Sequence, residues 1–436
     1  MKTIKLTSDS IANILDDMLK RSPNNYEEYA KVVQDILTDV KVRKDTAVFE
    51  YTQKFDHADI NAANIRVTKA EIKAAYTKVD DKLIEVMRKS LINIRAFHEK
   101  LKLDSWLDND APGITLGQKV TPLKSAGVYV PGGKAAYPSS VLMNVVPAKI
   151  AGVKHIVMVT PCNKVGEINP MVLVAANEAG VDEIYKVGGA QAIAALAYGT
   201  ESIPKVDKIV GPGNIYVALA KKAVYGLVSI DSIAGPSEIL VLADESANPR
   251  FVAADLLSQA EHDELASAIL VTTSESLGLA VAKEVSKMAA KLSRREIIEQ
   301  SLDQFGYILI AKTMADAIDV ANEIASEHLE IMTKEPLKVM EEIKNAGAIF
   351  IGPYSSEPLG DYFAGPNHIL PTNGTAKFFS PLGVEDFMKR TSIIQYSKEA
   401  LEAVHEDIEY FATAEQLTAH ANSIAVRFAK EDMEDE

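Results

Sequence analysis

The sequence predicts an α/β protein built from two Rossmann-like parallel-sheet domains, one inserted in the other. A helical N-terminal segment and a small helical C-terminal extension complete it. Three observations carry this expectation. Short β-rich apolar runs begin near Gly127, His155, Glu183 and Lys208, at spacings of 28, 28 and 25 residues. Ala- and Val-rich stretches with helical periodicity fill the gaps, the pattern of βαβ units. The strand runs are apolar throughout, as strands covered on both faces are.

The elements follow in chain order. The first hundred or so residues read as helix, from apolar spacing at Tyr29, Val32, Val33, Ile36 and Leu37 and over 82–101. The stretch 105–123 holds Trp106, Pro112, Gly113 and Gly117 and reads as a break. Helices of the first series fall over 140–152, 170–180, 190–198 and 214–225. An extended segment, 226–236, separates this series from strands at 237–243, 268–273, 306–311, 329–333 and 348–352. The second series opens where the first closes, so the first fits an insertion into a domain that also uses the N-terminal helices. The expected division is an N-terminal arm over 1–25, a larger α/β domain over 26–126 plus 236–382, an inserted α/β domain over 127–235, and a C-terminal helical extension over 383–436. The loop 353–383 is rich in Gly, Pro, Ser and Asn and carries Asp361 and His368. Long loops of this kind are usually functional or disordered, and these two side chains favour function. From Ser397 two amphipathic helices are expected, then a frayed acidic tail over 431–436.

Composition narrows the function. The chain has 436 residues, 47% hydrophobic and 25% charged, within the ordinary globular range. Its net charge of −15 argues against nucleic acid as a partner, because phosphate backbones need a basic surface. No apolar run reaches the ~18 residues of a membrane span, and the start of the chain does not read as a signal peptide. The single cysteine, Cys162, rules out an internal disulfide and a thiolate-rich zinc site. A reducing, cytoplasmic location fits, and any metal must take nitrogen and oxygen ligands.

Three motifs carry chemistry. Gly-rich turns at Val130-Pro131-Gly132-Gly133, Val187-Gly188-Gly189-Ala190-Gln191 and Val210-Gly211-Pro212-Gly213-Asn214 each end a strand and lead toward a helix. Such turns offer bare backbone N–H groups and a helix dipole to an anion such as phosphate. Each alone also fits a tight βα turn, and none is a G-x-G-x-x-G. Gln259 and His262 sit three apart on a helix expected over 249–263, on one face. Asp361 and His420 could complete an N/O site for zinc or another divalent metal. Glu327 and His328 form an adjacent acid/base pair where a helix ends and a strand begins. The residues leave three readings open: a metal-dependent alcohol oxidation, a zinc hydrolase, and a metal-dependent binding protein. The last two do not use the Gly-rich turns or the acid/base pair, respectively.

Seven blocks bear a closer likeness: GVYVPGG (127–133), VGGAQAIAALAYGTESIPKVDKIVGPGN (187–214), AGPSE (234–238), DLLSQAEHD (255–263), SEHLEI (326–331), GDYFAGPNHILPT (360–372) and AEQLTAH (414–420). In these, from roughly Glu27 to Arg427, the chain resembles the histidinol dehydrogenase family. The resemblance implies a zinc- and NAD-dependent oxidation of L-histidinol through L-histidinal to L-histidine, with two NAD per substrate, the last two steps of histidine biosynthesis. It implies Gln259, His262, Asp361 and His420 as ligands of one zinc per subunit, and Glu327 and His328 as the acid/base pair. Ser237, His368 and Glu415 would hold substrate together with the ligands and His328. Tyr129, Gln191 and Asn214 would contact NAD. It also implies a homodimer in which the C-terminal segment crosses over, so that Glu415 and His420 complete the partner's site.

Overall fold

The computed structural model describes residues 1–7, 12, 27–132, 136–233 and 235–429. Gly133, Ala234, most of the expected N-terminal arm and the acidic tail lie outside the described residues. The chain forms two compact units, Met1–Lys102 with Leu123–Phe387, and Leu103–Pro122 with Met388–Glu436.

The first unit holds two parallel sheets. One joins β4 (Ser125–Tyr129), β5 (His155–Thr160), β6 (Glu183–Lys186), β7 (Lys208–Val210) and β8 (Ser229–Ile230) in the order β6-β5-β4-β7-β8. The other joins β1 (Lys2–Lys5), β9 (Glu238–Ala243), β10 (Ser267–Thr272), β11 (Gly306–Ile310), β12 (His328–Met332) and β13 (Ala348–Ile351) in the order β1-β11-β10-β9-β12-β13. Apart from the edge strand β1, the two orders have the same form: the first central strand, two strands out on one side, then two on the other. The strands pair in parallel throughout.

The larger sheet is covered on both faces, as its unbroken apolar strands require. On one face Ile239, Val241, Ala268, Leu270 and Ile308 pack with Val252, Leu256, Val281 and Ile298 from helices. On the other, Leu240, Leu242, Ile269, Val271, Leu309 and Ile331 pack with Ala317, Val320 and Ile324. Successive residues along each strand thus serve opposite layers, the period of two that a pleated strand imposes.

The N-terminal helices form as their spacing predicts. Val33, Ile36, Leu37 and Val40 line one buried stripe of the helix Glu27–Arg43. Thr68 and Glu71 form a capping box at the helix Lys69–Tyr76, and Asp80 caps the helix Asp81–His98. Their packing partners differ from the sequence grouping, which joined them to the larger sheet. The helix Glu27–Arg43 packs on Gly189–Tyr198 and Ile215–Val224, helices of the smaller sheet. Val67 N–H donates to Ile184 O at 2.9 Å and Lys186 N–H to Ile65 O at 2.9 Å, so this segment also docks on the edge at β6. Periodicity shows which face of a helix is apolar, not which surface will cover it.

The second unit contains a sheet the sequence did not predict. β2 (Trp106–Asp108) and β3 (Ile114–Pro122) occupy the expected break, and β14 (Met388–Tyr396) pairs antiparallel with β3 over its whole length, Met388 opposite Pro122 and Tyr396 opposite Ile114. Helices Lys398–Glu402, His405–Ala414 and Thr418–Ala425 follow, three where two were expected. Gly117 and Pro112 made 105–123 look irregular, and its partner strand lies far along the chain. Among the described residues no helix is long and apolar enough to cross a membrane.

Candidate active site

The smaller sheet presents its carboxyl edge to a cleft of about 910 Å³. Tyr129 comes from the end of β4, Thr160 and Pro161 from the end of β5, and Gly189 and Gln191 from the turn after β6. Three helices begin at this cleft: Pro170–Ala179, Gly189–Tyr198 and Ile215–Val224. Their free N–H groups and dipoles place positive potential there, suited to an anion. Asn214 Oδ1 accepts from Tyr216 N at 3.1 Å and Val217 N at 3.2 Å, capping the last of these helices. Gly189 N–H donates to Tyr129 Oη at 3.1 Å, and burial pushes the Tyr129 hydroxyl up to about 12. Gln191 is buried and its Oε1 has no partner. Gly211 is held at φ +112°, and a Cβ there would strike the Tyr129 carbonyl oxygen, so the turn admits only glycine. Cys162, free and buried, lines this cleft and not the second pocket.

The larger sheet presents its amino edge to a second pocket, of about 630 Å³. Ser237 precedes β9, and Glu327 and His328 stand at the start of β12. Gln259 lies in the last turn of the helix Pro249–Ala260. His262 falls two residues beyond that helix, in an exposed turn, not on the helix as its spacing had predicted. Asp361 sits in a π-helical turn, Gly360–Ala364, buttressed by the helix Asp81–His98. Ser90 Oγ donates to Tyr362 O at 2.6 Å and Asn93 Nδ2 to Phe363 O at 2.8 Å. His368 lies 3.5 Å through Nδ1 from Asp361 Oδ1. All seven of these expected residues line the one pocket. Glu415 and His420 belong to the second unit, where both are exposed, Glu415 capping the helix His405–Ala414 and His420 on Thr418–Ala425.

Hydrogen bonding fixes the histidine's tautomer. His328 Nδ1 lies 2.9 Å from the Glu238 carbonyl oxygen, which can only accept, so Nδ1 carries the proton. Nε2 is then a buried acceptor with no partner among the described residues. Burial drives the His328 pKa down to about 4, which keeps the imidazole neutral at pH 7. Glu327 Oε2 accepts from Glu238 N–H at 2.9 Å, yet burial holds its carboxyl well above the usual range. Asp361 behaves oppositely: burial acts to raise it, but His368 beside it outweighs that and lowers it.

The donor set fits a divalent cation. His328, Glu357 and Asp361 bring ligand atoms within 4.8 Å of one another. This group shares only Asp361 with the set the resemblance implies, although Gln259 Oε1, in the same pocket, is buried without a partner among the described residues. A helix C-terminus carries partial negative charge, so Gln259 is placed where a cation is favoured. Glu357, Glu330 and Asp255 were not singled out from the sequence. Glu330 follows His328 by two on a strand and Asp255 precedes Gln259 by four on a helix, spacings that share a face and could have flagged both. Glu357 had no such signal.

The two pockets share Pro131, Gly132 and Asn214 in their walls. A cleft at helix N-termini beside a buried histidine–carboxylate centre, on parallel sheets, is the arrangement of an α/β enzyme. Comparison narrows this. The family model described as histidinol dehydrogenase matches residues 19–428. Histidinol dehydrogenase of Caldanaerobacter subterraneus is 57% identical over 422 residues, covering 97% of this chain and 98% of the relative. That of Bacillus subtilis is 58% identical over 410 residues, covering 94% and 96%. The crystal structure of histidinol dehydrogenase from Elizabethkingia anophelis superposes with a TM-score of 0.93 at 38% identity, covering 98% of each chain. The chain belongs to the histidinol dehydrogenase family, and is an oxidoreductase.

Proposed function

We propose that this chain catalyses the zinc- and NAD-dependent four-electron oxidation of L-histidinol, through L-histidinal, to L-histidine. Two NAD are consumed per substrate, and the reaction forms the last two steps of histidine biosynthesis in the cytoplasm. The observation that carries the reading is the shared wall of the two pockets, which puts a nucleotide-sized cleft against a buried proton acceptor. The segment 127–235 serves as the NAD-binding module, with Tyr129, Gln191 and Asn214 toward the cofactor. Asn214 commits its carbonyl oxygen to a helix cap, which leaves its amide NH₂ to a ligand. Gln259, His262 and Asp361 would hold zinc with His420 of the extension, all nitrogen and oxygen donors.

Zinc and NAD, when bound, supply an orienting Lewis acid and a hydride acceptor. The chain's own groups then handle protons and position. His328 Nε2 accepts the hydroxyl proton in the first oxidation, the role its neutral form and available lone pair allow. Glu327 takes a proton from the water that adds to the aldehyde, and the resulting hydrate is oxidised to the carboxylate. Its raised pKa lies in the direction a carboxyl needs for proton exchange near neutrality. Ser237, His368 and Glu415 hold the substrate, whose cationic groups match the acidic lining. A buried pocket retains the aldehyde between steps.

The test is NADH formed per L-histidinol consumed, before and after chelation. Two NADH, lost with the chelator and regained with zinc, are expected. One NADH with free aldehyde would remove Glu327 from the second step. For the shared homodimer site, mixing H420A with Q259A chains should restore activity, and no rescue would count against it.

A further inference from the structure

Behind the zinc-site residues lies a row of buried carboxyls that the reaction does not use. Glu330 is fully buried, Glu357 is 2% exposed and Asp255 is 9% exposed. Among the described residues no lysine or arginine acts on them; the groups that do include one another, Asp361 and Ser258. Burying carboxyls without a cation is costly, and apolar residues of the same volume would serve stability better. Their presence calls for a role other than stability.

The bonding of Glu357 indicates that role. Its backbone N–H donates to Glu330 Oε1 at 2.8 Å, which ties it to β12, the strand that begins with His328. Its Oε2 accepts from Ser258 Oγ at 3.1 Å, which ties it to the helix carrying Gln259 as the next residue. Its carboxyl also brings an oxygen within 4.8 Å of Asp361 in the π-helical turn and of His328. Burial, and then the charge of Asp255, four residues before Gln259 on that same helix, raise the Glu330 carboxyl. One buried residue, through its backbone N–H and its carboxyl, therefore reaches the three elements that carry Gln259, His328 and Asp361. These elements lie far apart in sequence, and each could otherwise shift by the fraction of an ångström that a metal site does not tolerate.

We propose that Glu357 is a positioning residue, which braces Asp361 against the Ser258–Gln259 helix end and thereby sets the metal affinity of the site. It orients the ligands without itself holding the ion. The inference rests on the reading that the site binds zinc.

The test is the zinc dissociation constant of the full chain, measured by competition with a chromogenic chelator, alongside a thermal melt. E357A should bind zinc about ten- to a hundredfold more weakly, the usual consequence of removing a residue that orients a ligand. E357Q keeps the length and the hydrogen-bonding atoms, so it should recover most of the wild-type affinity. S258A, which removes the brace from the helix side, should weaken zinc by a few-fold. A folded E357A with wild-type affinity would overturn the proposal. So would an E357Q loss as large as that of D361N, because Glu357 would then be a ligand in its own right. Should E357A fail to fold, S258A decides: unchanged affinity there overturns the brace. A wild-type chain that binds no zinc would instead sink the metal reading on which this rests.

Discussion

The two parallel sheets follow one plan and use opposite ends of it. In the smaller sheet the lining residues come from the carboxyl ends of β4, β5, β6 and β7, where open α/β sheets ordinarily take ligands. In the larger sheet they come from the amino ends of β9 and β12, with Gln259 from a helix C-terminus. At the carboxyl end of the larger sheet the loops are joined to each other: Asp244, just past β9, accepts from Lys334 N–H at 2.9 Å. The difference is electrostatic. A carboxyl edge gathers helix N-termini and favours an anion; an amino edge gathers helix C-termini and favours a cation. One strand order, used from opposite ends, thus offers an edge suited to an anion in one sheet and an edge suited to a cation in the other.

Substitutions at the two edges should separate accordingly. H328N, at the amino edge, should lower turnover about a hundred- to ten-thousandfold while leaving NAD affinity unchanged, as read by steady-state rates and calorimetry. An equal loss of NAD affinity would erase the distinction between the edges. G211A, at the carboxyl edge, adds a Cβ into the Tyr129 carbonyl at φ +112°. It should cost upward of about 1–3 kcal/mol in a chemical melt and abolish NAD binding.

E330Q probes the buried acids under the amino edge. Burial, and then Asp255, hold Glu330 near 9 in the folded chain, against 4.5 for the free group. The folded state therefore binds more protons than the unfolded one between these values, and stability falls as pH rises through that window. E330Q removes this slope and keeps an acceptor for Glu357 N–H. Its advantage over wild type should be nearly absent near pH 4 and then grow by up to about 1.4 kcal/mol per pH unit toward pH 8. A constant difference across pH would show that Glu330 ionises normally. The smallest effect belongs to N214A, which removes a helix cap worth about 1 kcal/mol and should weaken NAD without changing zinc affinity.

Much of the smaller sheet and its cleft was legible in the sequence. Apolar runs at regular spacing placed β4 to β7, and the glycine turns after them fell at the carboxyl edge because a βα turn has nowhere else to go. Glu327 and His328 were legible as a pair because both reactive groups are adjacent in the chain. β3 and β14 were not, since each is a plausible loop until the other is beside it. The brace at Glu357 was equally hidden, being made by Ser258 and Glu330 from other elements.

The sequence by itself determined the alternation of strand and helix, the apolar faces and the identity of the reactive groups. These depend on local periodicity and on side-chain chemistry, which neighbours in the chain already define. Only the tertiary structure decided which surface the N-terminal helices cover, which end of the larger sheet is open, and which proton His328 keeps. Each of those depends on a partner supplied from a distant part of the chain: the helices of the smaller sheet, the Asp244–Lys334 tie, and the Glu238 carbonyl. Burial then set the balance of charge at the site, holding His328 neutral and Glu327 up, an effect of solvent exclusion that no residue carries alone.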